Sequence, residues 1–461
     1  MNELIERLLN EIPDYSQYLT IDELDASSAA LAAAYPELVE LSTVGYSVNG
    51  SPIQMLRIGA GSRRALFVGC PHPNEPIGAS TLEYLSWKLC AEPSIIEGLD
   101  YTFYMIKAID IDGYRRNEGW LKGPYTAERY IRHYYRPAGE EQVEWTFPYD
   151  YKTFKVNDPM PETQAFMRAI DEAKPHFLNS LHNIDRAGSY YYVSAALPEE
   201  LYEQLRGLIV QRGLPLMKGE PESDIFPPLS DNIFKMGKFS EVYDYLTMVL
   251  PAEEDPAAHL GRGSSSSDYA VSRYGTYCFM SEVTCFADPR MGNVSLTDCT
   301  RRDIVEESLK QASACFDFFK RQLDLAAPFI ADGGPLIRAS TRFMGYFISG
   351  KERLERQMQQ PEEQPKFDRL ANEADQFDWR TRDWWLALGC VGMLVRAIDE
   401  QPECPELAAI RLETEQWLDG QMGELLAYLQ CEMRPIRDLC AVQLGSALMV
   451  MEHLRASASD Q

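Results

Sequence analysis

His72 and Glu75, two residues able to hold a metal ion, stand three apart in the turn GCPHPNEPIGAS (Gly69 to Ser80), directly after the apolar run ALFVGC. A catalytic zinc takes three protein ligands of nitrogen, sulfur or carboxylate type and keeps a fourth position open. This pair can supply two of the three. Taken alone, an HxxE in an acidic chain fits a surface turn with a helix-starting Glu-Pro equally well. Of the six histidines, His182 is distinct, because it ends the apolar stretch FLNSLHN and is expected to reach the same sheet edge as His72. His133 and His259 fall in loops, His176 at a helix end and His453 in a tail helix. Glu282 closes the strand-like YGTYCFMSE and is the candidate general base for a metal-activated water, its pKa raised by desolvation. Arg115 and Arg116, in IDGYRRN beyond another apolar run, are the candidate cations for an oxyanion. Each residue also has a plainer reading: a core histidine, or a solvated charge at a strand end.

These residues need elements to place them. Residues 1–43 read as two helices, the second capped by Thr20 or Asp22. TVGYSVNGSPIQMLRIG reads as a hairpin turning at Asn49-Gly50. ALFVGC, YTFYMIKAID, FLNSLHN, YYYVSA and YGTYCFMSEVTCF read as strands, separated by helical stretches at IGASTLEYLSWKLC, PETQAFMRAIDEAKP and LPEELYEQLRGLIVQRG, with RRDIVEESLKQASACFDFFKRQLDLA as a closing helix. That alternation implies an α/β domain with a mixed, largely parallel central sheet flanked by helices. Ligands in open sheets of this type bind at the carboxyl ends of the strands. IDGYRRNEG reads as a turn. Gly119 to Asp158 and Pro251 to Ser267 read as long loops. ADGGPLIRAS, 331–340, reads as a linker. The division expected is an α/β domain over 1–330 and an all-α domain or extension over 336–461.

The formal net charge of -26 and pI near 4.7 disfavour nucleic acid and anionic membrane as partners. The first residues, MNELIERLLNEIPDYSQY, lack the basic and apolar regions of a secretory signal. No run is long enough for a membrane helix. The ten cysteines form no CxxC pair, so reduced thiols and a cytoplasmic location are expected.

Together the residues resemble the zinc carboxypeptidases of the M14 family, the funnelins related to carboxypeptidases A and B, and in particular their bacterial branch. HPNE resembles the family's first ligand pair, IDIDGYRRN its Asp-Gly-Tyr turn with Arg115 and Asn117, and LNSLHN its third-ligand strand. Pro161–Thr163 resembles the opening of the preceding helix, and DYAVSRYGTYCFMSE the approach to the catalytic glutamate. The resemblance runs over roughly residues 15–325. It implies one zinc ion per chain on His72, Glu75 and His182, and Glu282 as catalytic base. Arg115 or Arg116 would steady the oxyanion.

The resemblance also marks Asn117, Glu144, Trp145, Ser267 and Asp268 as substrate-binding positions. Glu144 and Trp145 stand where the family carries the Asn-Arg pair for a terminal carboxylate, and Arg132 or Arg136 could replace that anchor in space. Ser267, before Asp268, suggests a polar pocket. The family's mobile tyrosine would fall near His259, while Tyr269 matches a different position. The expected activity is hydrolysis of peptide or peptide-like amide bonds, as a metallocarboxypeptidase acting on small peptides. The alternatives are a zinc amidase or deacylase on N-acyl amino compounds, and a non-catalytic binding protein on the same fold. The C-terminal helices are a candidate surface for a homo-oligomer.

Overall fold

The computed structural model describes residues 2–219, 225, 228–330, 334–402 and 404–459. Strands β1 (Val39–Tyr46) and β2 (Pro52–Ile58) form the expected antiparallel hairpin. Its turn holds Gly50 at φ +84°, a left-handed conformation that only glycine adopts without steric cost. They are followed by β3 (Arg63–Gly69), β4 (Tyr101–Ile106), a small separate hairpin of β5 (Tyr149–Tyr151) and β6 (Phe154–Val156), then β7 (Phe177–Ile184), β8 (Tyr190–Val193), β9 (Pro228–Ser230), β10 (Ile233–Lys235) and β11 (Tyr277–Thr284). One nine-stranded sheet has the order β1-β2-β4-β3-β7-β11-β8-β10-β9. Its centre, β4-β3-β7-β11, is parallel throughout, and both flanks carry antiparallel pairs. The central strands are covered on both faces, which explains why they read as continuous apolar runs instead of alternating ones.

Register carries the functional consequence. Gly69 pairs with Leu181, and His182 pairs with Glu282. The HPNE turn after β3, the end of β7 and the end of β11 therefore meet at one carboxyl edge. The helix Ile77–Ala91 lies close over this edge. A Cβ on Gly78 would stand 2.8 Å from Leu181 Cβ and 3.1 Å from Gly69 Cα, so only glycine permits that approach.

The C-terminal helices pack directly on this frame, and one buried apolar cluster runs from Ile5 to Met451. In the helix Ile436–Ser459, Gln443 donates from Nε2 to the His182 carbonyl (2.8 Å) and accepts from Thr81 Oγ1 (2.9 Å). The helix Glu373–Asp399 lies along the helices Arg301–Ala326 and Pro335–Gln359. Of the stretch expected as a linker, 331–333 lies outside the described residues, and Pro335 already opens a helix. Among the described residues, no helix is long and apolar enough to cross a membrane.

Two local expectations are corrected, and one helix was not foreseen. IDGYRRNEG, residues 111–119, lies wholly in the helix Ile111–Leu121, started by Asp110, whose Oδ1 accepts the Gly113 N–H at 2.9 Å. That cap outweighs the turn propensity of Asp-Gly. The supposed loop 119–158 contains the helix Ala127–His133, capped by Thr126, and the β5–β6 hairpin. The helix Phe239–Val249 had no counterpart in the sequence reading.

Candidate metal centre and active site

His72, Glu75 and His182 are all buried, and one ligand atom from each lies within 4.8 Å of the others. His72 Nδ1 is 2.9 Å from Glu75 Oε1, His182 Nδ1 is 3.0 Å from Glu75 Oε2, and the two Nδ1 atoms are 3.1 Å apart. Two imidazole lone pairs cannot face each other at that distance unless a proton or a cation lies between them. Burial and the Arg136 guanidinium push His72 down to about 3. Burial would lower His182 as well, but its hydrogen bond and charge contact with Glu75 carry it up to about 9. Burial raises Glu75, yet the two imidazoles hold it below the ordinary carboxylate range. The cluster is thus built around one positive charge, and two nitrogens and a carboxylate are a donor set that suits zinc.

Support from behind fixes the His182 tautomer. Its Nε2 lies 3.1 Å from Ser180 Oγ, and Ser180 Oγ donates to Glu144 Oε1 at 2.5 Å. Because the serine proton goes to the carboxylate, Ser180 accepts Nε2–H, and Nδ1 is left to face the ligand position. Glu144 also accepts from Ser266 Oγ at 2.9 Å. On the other ring, Arg136 Nη2 lies 3.0 Å from His72 Nε2, with Arg136 Nη1 3.3 Å from Glu75 Oε1. With the arginine as donor, His72 carries its proton on Nδ1. If a metal were held at Nδ1, that proton would have to sit on Nε2, and Arg136 would then lose its acceptor there. Glu282 faces the same space, its Oε1 4.0 Å from His182 Nδ1.

Arg115 and Arg116 are not brought to the cluster. Once 111–121 is helical, their side chains point outward: Arg115 pairs with Asp22 at 2.6 Å and Arg116 with Glu400 at 3.0 Å. The guanidinium that does reach the cluster is Arg136. Asn117 does not line the cavity either. It clamps the backbone beside Arg136, donating to the Tyr135 carbonyl (2.8 Å) and accepting the Tyr135 N–H (3.0 Å). Arg132 pairs at the surface with Glu128 and Asp419.

The cluster opens into a cavity of about 820 Å³, lined among others by Glu144, Trp145, Ser267, Asn183 and Glu282. Trp145 packs against Phe239, and Ser267 Oγ is 2.8 Å from Ser265 Oγ. Asp268 stands behind this wall, its Oδ2 accepting the Phe239 N–H at 3.0 Å. Burial pushes its carboxyl up to about 6. His259 lies away on the surface, paired with Glu254, and Tyr269 bonds Asp171. Sequence reasoning missed Asn183, whose buried amide has, among the described residues, no hydrogen-bond partner for either side-chain atom. Its place next to His182 in LHN was the available signal. It also missed Ser180, two residues before His182, and the wall contributed by Phe343, Asp378, Arg382 and Trp385 from the C-terminal helices.

Residues 24–209 match the zinc carboxypeptidase family, Peptidase M14. The chain is 30% identical over 106 residues to the carboxypeptidase B of Astacus astacus, a match covering 22% of this chain and 35% of that protein. The chain therefore spans about a third of the length of the curated relative it matches. Among solved structures, the carboxypeptidase A of Helicoverpa armigera superposes with a TM-score of 0.40 at 16% identity, covering 62% of this chain and 72% of that one. A metallo-carboxypeptidase of Burkholderia cenocepacia gives 0.33 at 16% identity, covering 58% and 60%. The matched segment contains His72, Glu75 and His182, and over residues 24–209 this chain is similar to zinc carboxypeptidases of the M14 family.

Proposed function

We propose that the protein is a zinc-dependent metallocarboxypeptidase acting on small peptides, with its zinc on His72, Glu75 and His182. The observation that carries this reading is the convergence of two Nδ1 atoms and a buried carboxylate, with Glu282 on the adjacent strand. Bound there, zinc supplies Lewis acidity toward a scissile carbonyl and a water. Glu282 takes the proton from the attacking water and returns it to the leaving amine. Arg136, rather than Arg115 or Arg116, steadies the charge that develops on the carbonyl oxygen. Asn183 offers its amide to the substrate backbone, and Trp145 and Ser267 form part of the binding wall. Glu144 acts behind His182 through Ser180, so an acid at this position does not by itself argue for an amidase.

Metal content measured by mass spectrometry on the untagged chain, beside His182→Ala, tests the centre. About one zinc per chain, lost in the variant, is expected. No metal, and none taken up on adding zinc, would overturn the reading. Free-ended, amidated and N-acylated peptides then separate carboxypeptidase from amidase activity.

A further inference from the structure

Two guanidinium groups in the same cavity have no part in the hydrolysis. Arg186 leaves the end of β7 four residues after His182, and Arg382 projects from the helix Glu373–Asp399, outside the segment 24–209. The Arg186 side chain is only 18% exposed. Its nearest carboxylate, Asp378 Oδ1, stands 4.0 Å away, beyond hydrogen-bond length, and among the described residues its guanidinium makes no hydrogen bond. Arg382 lies over the Trp379 ring at 4.1 Å, with Asp383 Oδ1 3.7 Å from its Nε. The two cations are near enough to repel each other. Of the neighbouring acids, Asp185 is taken by the Tyr130 hydroxyl at 2.6 Å. A desolvated guanidinium whose N–H groups make no hydrogen bond is costly even with an ion-pair partner at 4.0 Å, and a carboxylate meets its planar donor fork with two parallel hydrogen bonds.

The Glu144–Trp145 part of the lining adds a reason. Glu144 and Trp145 offer no cation, Glu144 is held by two serine hydroxyls, and Arg136 stands at the ligand cluster against Glu75 and His72, where the proposed function assigns it to the carbonyl oxygen. An anionic group entering the cavity therefore meets, at Arg186 and Arg382, guanidinium N–H groups that make no hydrogen bond among the described residues and have only the longer ion-pair contacts to Asp378 and Asp383.

We propose that Arg186 and Arg382 form an anion subsite that takes a carboxylate of the substrate, so that the C-terminal helices take part in choosing the peptide. The hydrolase reading supplies only the identity of the ligand as a peptide; the subsite itself is read from the cavity.

The test is calorimetric titration of the zinc-loaded full chain carrying Glu282→Gln, so that nothing turns over. The probes are N-acetyl-Ala-Ala, N-acetyl-Ala-Ala-amide, N-acetyl-Ala-Glu-amide and N-acetyl-Ala-Glu. Carboxylate-bearing probes are expected to bind about 10- to 100-fold tighter than the diamide. Arg186→Gln or Arg382→Gln should remove that advantage while leaving diamide binding in place, and Arg382→Lys should keep part of it. N-acetyl-Ala-Ala against N-acetyl-Ala-Glu-amide shows whether the terminal or the side-chain carboxylate is read. If Arg186→Gln does not fold, Arg382→Gln carries the test from its more exposed position. Equal binding of acid and amide, equal loss of both in the variants, or no binding at all would overturn the subsite. Turnover of the same probes by the unmodified chain separates the two claims. Discrimination without turnover sinks the hydrolase reading alone, and turnover without discrimination sinks the subsite alone.

Discussion

Glu282 lies directly across from His182 in the parallel pairing of β7 and β11, with its Oε1 4.0 Å from His182 Nδ1. The proposed base and the proposed ligand are thus locked together by backbone hydrogen bonds instead of by a loop. Strand-borne groups hold their geometry within the tolerance that catalysis demands.

From this pairing, Glu282→Gln should retain one zinc per chain and lose about 10²- to 10⁴-fold in kcat. Metal analysis and steady-state kinetics on the same preparation check it. Loss of metal together with activity would mean that Glu282 serves the ion and not the proton.

The arginines give a sharper contrast. Arg136→Gln should lower kcat by about 10²- to 10³-fold. Arg115→Gln, which breaks only a surface pair with Asp22, should stay within about twofold, since exposed pairs contribute little. The reverse ranking in kinetic assays would restore the role first expected of Arg115.

The chain of contacts from Glu144 through Ser180 to His182 should set metal affinity. Ser180→Ala and Glu144→Gln are each expected to weaken zinc binding by about 10- to 100-fold, measured by competition with a chelator. Unchanged affinity in both variants would show that packing alone orients His182.

A pH effect follows from Asp110. Burial pushes its carboxyl up to about 8, although the Gly113 N–H opposes this. Between the ordinary value near 3.8 and that raised value, the folded protein keeps a proton that the unfolded chain has released. Stability is therefore full at the acid end of that window and falls as pH rises through it. Asp110→Asn keeps the acceptor for Gly113 and removes the titration. It should melt above the unmodified protein at about pH 9, with the gap closing toward about pH 4. Thermal melts across that range decide it, and a gap that does not change with pH would reject it.

Part of this molecule was legible before any coordinates. The Asn49-Gly50 hairpin, the parallel core strands and the strand-end positions of His72, Glu75, His182 and Glu282 follow from local residue order. Apolar runs fix the strands, and polar residues just past them mark the carboxyl edge. Direction within an element and proximity across the chain were not legible. Whether Arg115 and Arg116 face the cluster depends on the phase of a helix whose start is set by the Asp110 cap. Arg136 reaches the cluster because Asn117 grips the backbone beside it, a contact no periodicity announces. Arg382 lines the cavity because the C-terminal helices share the buried apolar core of the α/β part. The sequence by itself determined the chemistry available at one sheet edge. The tertiary structure decided which cations serve it, because side-chain direction and long-range packing are properties of the whole fold.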